Sequence, residues 1–141
     1  MLFIGRLVML SFVMTVFTAT AQNIEKYQWK NRIILLKENT IDSDRLTGQL
    51  QRLEADSKAL AERDILIFII TGGSVYDTSK KRLDLNYESI VEKHGLNDFQ
   101  GLILIGKDGS LKLKECFIVD AKTIFELIDA MPMRMAETKN N

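Results

Sequence analysis

The chain has 141 residues, of which 46% are hydrophobic and 27% are charged, and it carries 19 basic and 19 acidic side chains. This length fits one domain, and the zero formal net charge argues against a dedicated nucleic-acid-binding protein, which needs a basic surface to neutralise phosphates. One Cys and one His exclude a Cys/His zinc site and an internal disulfide framework.

Residues 1–21 have the three parts of a secretory signal peptide. Arg6 supplies the positive charge, residues 7–17 form the apolar run, and Ala19-Thr20-Ala21 is a small-residue cleavage site. The apolar run is shorter than the roughly 20 residues that cross a bilayer, which favours cleavage after Ala21 over an uncleaved membrane anchor. We therefore expect an extracytoplasmic domain, periplasmic or secreted, with no stable membrane span after cleavage.

The first half of the domain, residues 22–135, alternates strand and helix patterns. Arg32–Lys37 is predicted as a strand covered on both faces, because four consecutive residues within it are apolar. A helix capped by Asp42 or Ser43 is predicted to continue to about Glu62, since its leucines recur on one face. The second strand, Ile65–Ile70, is rich in β-branched residues.

The second half begins with a polar segment, Thr71–Leu85, which is predicted to be a loop. Asn86 is expected to cap a short helix that ends at His94, with Gly95 as its left-handed stop. The third strand is predicted at Gly101–Ile105. These boundaries place the second helix between two buried strands.

The chain is predicted to close with a hairpin and a helix. Asp108-Gly109 indicates a two-residue turn with positive φ at both positions, and the fourth strand begins at Leu111. In that strand, one face is predicted to carry Leu111, Leu113 and Phe117. A helix is then expected to begin with Asp120 as its cap and to end at Pro132. The last residues, Ala136–Asn141, are predicted to form a polar tail with nothing apolar to bury.

The predicted order is therefore β-α-β-α-β-β-α. A β-α-β start with buried strands implies a right-handed crossover and parallel pairing, and the closing hairpin adds antiparallel strands. The fold class is α/β, with a mixed four-stranded sheet and helices on both faces. This is the order of the minimal thioredoxin fold.

Four stretches of the sequence resemble one family: KYQWKNRIILL, ERDILIF, LILIGKDGSLKLKE and LIDAMPMR. It is the domain of unknown function, sometimes called P-DUDES, that is shared by small secreted bacterial proteins and animal extracellular sushi-repeat proteins. The resemblance extends from about Gln22 to Arg134. It implies a thioredoxin-like fold and secretion, and it implies no catalytic residue.

Thiol chemistry is not expected from this sequence. A thioredoxin-type oxidoreductase needs a thiolate pair where its first strand meets its first helix, because the helix N-terminus lowers the thiol pKa. Residues 37–44 hold no cysteine, and residues 96–100 lack the proline that active thioredoxins place before the next strand. Cys116 is expected to lie far from that corner, and either to be buried or to pair between chains.

Three carboxylates, Glu38, Asp42 and Asp44, follow the first strand, at the end where open α/β sheets usually bind ligands. Their spacing matches no complete metal-binding loop, and acidic residues also cap helix N-termini, so no metal or other cofactor is assigned. They are candidate ligand-surface residues.

A basic run, Lys80-Lys81-Arg82, lies in the predicted loop. Such a run is either a solvated loop or a docking patch for an acidic partner. We add it to the candidate ligand surface.

Three hypotheses follow for function. The first is a redox-inactive, thioredoxin-like module that binds an extracytoplasmic protein or envelope component. The second is an enzyme with an unrecognised carboxylate site near Glu38, Asp42 and Asp44, for which a deep pocket joining these residues to the segment 71–82 would be evidence. The third is a structural protein of the cell envelope that acts as an oligomer.

Overall fold

The computed structural model describes residues 21–141, so the predicted signal peptide lies outside the described residues except for Ala21. The strands are β1 Arg32–Lys37, β2 Ile65–Thr71, β3 Ser74–Tyr76, β4 Arg82–Leu83, β5 Gly101–Ile105 and β6 Leu111–Glu115. The helices are α1 Asp44–Glu54, α2 Ser57–Glu62, α3 Tyr87–His94, α4 Ala121–Asp129 and α5 Pro132–Lys139, and a 3-10 turn covers Ile24–Tyr27. Within this part of the chain, no helix combines the length and apolar character that crossing a bilayer requires.

The strands form one mixed sheet in the order β4-β3-β2-β1-β5-β6. β1 and β2 are parallel, with Arg32 opposite Ile65, and every other neighbouring pair is antiparallel. The four strands β2-β1-β5-β6 are the predicted ones, in the predicted arrangement. The α/β fold class is therefore confirmed, although the sheet has six strands instead of four.

The core lies on both faces of the sheet because β1 contributes side chains to each of them. Ile34 and Leu36 join the cluster beneath α1, α2 and α4, and Ile33 and Leu35 join the cluster beneath α3 and the 3-10 turn. The sequence of a strand that is buried on both faces is a continuous apolar run, which is why β1 and β2 could be predicted.

The predicted first helix is two helices. Ser43 is the N-cap of α1 and accepts a hydrogen bond from the N–H of Leu46 at 3.4 Å. Asp56 then caps α2 by accepting from the N–H of Ala59 at 2.9 Å. An Asp side chain that bonds a nearby backbone N–H competes with helix continuation, so the helix breaks there.

The segment predicted as a polar loop contains the extra hairpin, β3 and β4. Gly72 and Gly73 have φ of 55° and 76° and connect β2 to β3 in a two-residue turn. A Gly-Gly pair suits such a turn because both central positions require positive φ. Because β3 and β4 are only three and two residues long, they are too short for an alternation of apolar and polar residues to predict them.

The β5–β6 turn is wider than predicted. Gly109 has a φ of 81° and donates to the carbonyl of Gly106 at 3.0 Å, whereas Asp108 does not adopt a positive φ. The two-residue turn was therefore wrong, and the side-chain prediction was wrong at Leu111, which is 44% exposed. The expected inward direction is confirmed for Leu113, which contacts the core.

The chain end also differs from the prediction. α4 ends at Asp129, and Pro132 does not stop a helix but starts α5 at its first position, where a missing N–H costs nothing. The expected polar tail is helical as far as Lys139. Its Glu137 forms ion pairs with Arg32 and Lys107, which come from distant parts of the chain, so local sequence pattern carried no sign of them.

Candidate functional site

The first candidate region is the β1–α1 corner, which comprises residues 37–45. Glu38 follows β1 directly and is only 5% exposed. Its carboxylate accepts hydrogen bonds from the N–H of Asn39 at 2.9 Å and from Oγ of Ser43 at 3.0 Å, and Nη2 of Arg45 lies 3.0 Å away. The hydrogen bonds to this buried carboxylate therefore hold the end of β1 and the start of α1 together.

These contacts determine the charge of Glu38. Burial raises the pKa of its carboxyl group, but the Asn39 N–H, the Ser43 hydroxyl and the Arg45 guanidinium together lower that pKa below its usual value. Glu38 is consequently an anion at neutral pH. A carboxylate with a lowered pKa is a poor proton donor and a weak general base, so this arrangement does not favour acid–base catalysis.

Two cations, which the sequence analysis missed, fasten the corner to the loop before β5. Nη2 of Arg45 donates to Oε1 of Gln100 at 3.1 Å. Lys37 is 7% exposed, and its Nζ donates to the carbonyls of Asn97 and Phe99 at 3.3 and 2.9 Å. The position of Lys37 at the end of a buried strand was a usable signal, because a buried lysine must find acceptors.

The structure separates the three predicted carboxylates. Glu38 is buried against Arg45, whereas Asp42 and Asp44 are exposed. Asp42 lies 3.0 Å from Nζ of Lys80, so the corner and the basic run are in contact through this ion pair. Across residues 21–141 there is no group of three side chains suited to hold a metal ion.

The basic run, residues 80–82, is here called the basic loop; it consists of the end of the β3–β4 turn and Arg82, the first residue of β4. The carboxylate of Asp77 accepts the N–H groups of Ser79 and Lys81, each at 2.9 Å. The N–H of Asp77 donates to the carbonyl of Lys81 at 2.9 Å, and Lys80 has a φ of 62°. Lys81 and Arg82 are exposed, and neither forms an ion pair within residues 21–141. The loop therefore presents two unpaired cations on an ordered backbone.

One open cavity of about 500 Å³ borders the basic loop. Arg82 and Ser74 line it, together with the N-cap residue of α3, Asn86. None of the three predicted carboxylates lines this cavity, so it does not join them to the segment 71–82.

Cys116 is exposed, so the first of the two expected alternatives, burial, was wrong, and the second, pairing between chains, stays a prediction. It follows β6 at the sheet end where Gly101 pairs with Lys37, so the expected remoteness from the β1–α1 corner was also wrong. Gly101 has a φ of 153°, and a Cβ there would lie 2.9 Å from the Cα of Cys116. The thiol and the corner therefore lie at the same end of the sheet, with β5 between β1 and β6.

Residues 23–137 match the family described as a domain of unknown function (DUF4174). No curated protein sequence matches the chain. The family match covers the fold from the 3-10 turn to Glu137, two residues before the end of α5.

Solved structures with a similar fold include redox proteins. The chain is similar to a reduced 2-Cys peroxiredoxin of Plasmodium vivax, with 16% identity, a TM-score of 0.57 and coverage of 82% of this chain and 84% of that one. It is similar to the exposed lipoprotein thioredoxin of Streptococcus pneumoniae, with 11% identity, a TM-score of 0.54 and coverage of 76% and 89%. It is also similar to thioredoxin peroxidase I of Plasmodium yoelii, with 14% identity, a TM-score of 0.53 and coverage of 84% and 81%. At these identities the likeness shows a thioredoxin-like fold alone.

Proposed function

The chain belongs to this family of domains of unknown function and has a thioredoxin-like fold, and on that premise we propose that it is a redox-inactive binding module. Its partner is an extracytoplasmic protein or an envelope component with an acidic surface. The basic loop, residues 80–82, is the surface that meets this partner.

The β1–α1 corner supports the redox-inactive part of the proposal. In a thioredoxin-like fold this is the place where a helix N-terminus activates a thiolate. Here the same place is filled by the buried Glu38 carboxylate, which already accepts hydrogen bonds from Asn39 and Ser43 and pairs with Arg45. A second anion at that position would be repelled, so the corner disfavours a thiolate electrostatically.

The observation that carries the binding part is the ordered backbone of the basic loop. Asp77 fixes the loop through its carboxylate, and Asp42 pairs with Lys80, which leaves Lys81 and Arg82 to face solvent. Cations held on an ordered backbone lose little entropy when they bind, which favours them over a flexible basic segment. An acidic partner would gain charge-assisted hydrogen bonds at both side chains.

The binding proposal is tested by affinity capture from the extracytoplasmic fraction. The double variant Lys81→Glu/Arg82→Glu reverses both unpaired cations and should reduce the recovered partner about tenfold, a modest coupling free energy of about 1.4 kcal/mol. The double variant Arg52→Glu/Lys139→Glu is the matched control, because it makes the same change of charge at one arginine and one lysine that are exposed and form no ion pair within residues 21–141. Equal recovery by the wild type and the double variant would show that the basic loop is not the binding surface.

Extracytoplasmic location is part of the same proposal and has its own test. Arg6, the apolar run 7–17 and Ala19-Thr20-Ala21 support export and cleavage. N-terminal sequencing of the exported protein should begin at Gln22. An intact Met1 terminus recovered with the membrane fraction would contradict it.

A further inference from the structure

Part of the edge of β2 pairs with no other strand within residues 21–141. β2 has seven residues, but β3 pairs with only the last three of them. The ladder stops because the Asp77 carboxylate, which accepts the N–H groups of Ser79 and Lys81, turns the chain away from β2. The segment Ile65–Phe68 is therefore left as an edge, here called the open edge.

The register identifies which backbone groups face outward. The N–H of Arg32 donates to the carbonyl of Asp64 at 2.9 Å, in a parallel ladder between β1 and β2. In such a ladder alternate residues direct both N–H and C=O to the same neighbour, so the even-numbered residues of β2 face β1. The backbone N–H and C=O groups of Ile65 and Ile67 point away from β1, and in the described part of the chain these groups have no protein partner.

The open edge borders a groove of about 420 Å³. Leu60 of α2 and Ile67, which belong to the same core cluster, lie on its apolar side, whereas Glu54 and Asp77 are its charged residues. Neither a lysine nor an arginine of residues 21–141 lines it. At about 3.3 Å per residue the four-residue edge is roughly 13 Å long, which suits an extended segment of four or five residues.

We propose that the open edge is a binding site for an extended peptide segment that adds as a strand beside β2. Main-chain hydrogen bonds to Ile65 and Ile67 supply the affinity, as in other cases of strand addition. Apolar side chains of the peptide fill the groove, and a lysine or arginine of the peptide pairs with Glu54 or Asp77. This inference does not rest on the proposed function, because the basic loop takes no part in it.

The direct test is amide hydrogen exchange by NMR, with the synthetic peptide Lys-Val-Thr-Val-Thr-Val-Lys as the probe. In the free protein the amides of Ile65 and Ile67 should exchange faster than those of Leu66 and Phe68. With nine-tenths of the protein bound, exchange at Ile65 and Ile67 should slow about tenfold, and Leu66 and Phe68 should not change. Equal protection of all four amides in the free protein, or no selective slowing at millimolar peptide, would overturn the proposal.

Charge reversal provides the second test. Glu54→Lys should weaken binding of the lysine-ended peptide several-fold and strengthen binding of a peptide with glutamate at both ends. Glu92→Lys is the matched control, because Glu92 is also exposed, lies on α3 and forms no ion pair in the described residues. Equal effects of the two variants on either peptide would show that the peptide responds to net charge and not to the groove, and would overturn the site.

Discussion

At the scale of single residues, Glu38 decides what the β1–α1 corner can do. Its carboxylate is buried, accepts hydrogen bonds from Asn39 and Ser43, and pairs with Arg45. Burial opposes the charge, but these three partners outweigh it and hold the pKa of Glu38 below its usual value. The corner is thus stabilised by the charged form of Glu38.

The substitution Glu38→Gln should destabilise the domain at pH 7 by about 1.5–3 kcal/mol, the range for a hydrogen bond to a charged group. Because the folded pKa is lowered, the stabilisation is present above the unfolded value of 4.5 and is lost as pH falls through the folded pKa. Denaturant unfolding at a series of pH values should therefore show the gap between wild type and variant closing in acid.

Asp44→Asn is the control for this prediction. Asp44 is exposed in the first turn of α1 and forms no ion pair within residues 21–141, so its loss should cost only about 0.3–1 kcal/mol through the helix dipole. A Glu38→Gln gap no larger than this, or one that widens in acid, would contradict the structural role of Glu38.

At the scale of elements, α5 contributes a partly exposed carboxylate, Glu137, which pairs with the buried Arg32, and the α5 sequence did not reveal this contact. Arg32 is 1% exposed, and its guanidinium donates to both carboxylate oxygens of Glu137 at 3.3 and 3.4 Å. Nζ of Lys107 lies 2.6 Å from the same carboxylate. α5 has no buried residue, and polar contacts hold it: the Glu137 ion pairs and the hydrogen bond from Nη1 of Arg134 to the carbonyl of Glu62 at 2.7 Å.

A chain that ends at Arg134 should therefore be destabilised by about 3 kcal/mol, because it leaves the buried Arg32 without its carboxylate. A chain that ends at Thr138 keeps Glu137 and should retain nearly the full melting temperature. Thermal unfolding of the two chains measures the difference. Equal melting temperatures of the two chains would show that the Glu137 ion pairs contribute nothing to stability and would contradict this account of α5.

Elements whose signal is local were predictable, and those that depend on distant partners were not. Continuous apolar runs gave β1 and β2, and Asn86 and Gly95 marked both ends of α3, where the structure places the cap and a left-handed φ of 62°. The α5 contacts and the Arg45–Gln100 link join residues far apart in sequence, so no periodic pattern predicts them.

At the scale of the molecule, the fold could be predicted from the sequence more completely than the candidate site. The parallel pairing of β1 with β2 followed from the β-α-β start and the antiparallel β5–β6 pair from the closing hairpin, and the thioredoxin-like fold is confirmed. The carboxylates were correctly placed at the end of β1, but their separation into a buried Glu38 and an exposed Asp42 depends on Arg45 and Lys80. Residue type alone does not decide which of two nearby carboxylates turns inward.

The central claim is that this thioredoxin-like fold binds a partner without thiol chemistry, and turnover is its most direct test. The purified protein should neither reduce insulin disulfides with a thiol donor nor consume hydrogen peroxide faster than buffer. The Cys116→Ser variant should give the same result, because Cys116 is the one cysteine of the sequence and the β1–α1 corner holds Glu38 in place of a thiol. Turnover in the wild type that disappears in Cys116→Ser would contradict the account.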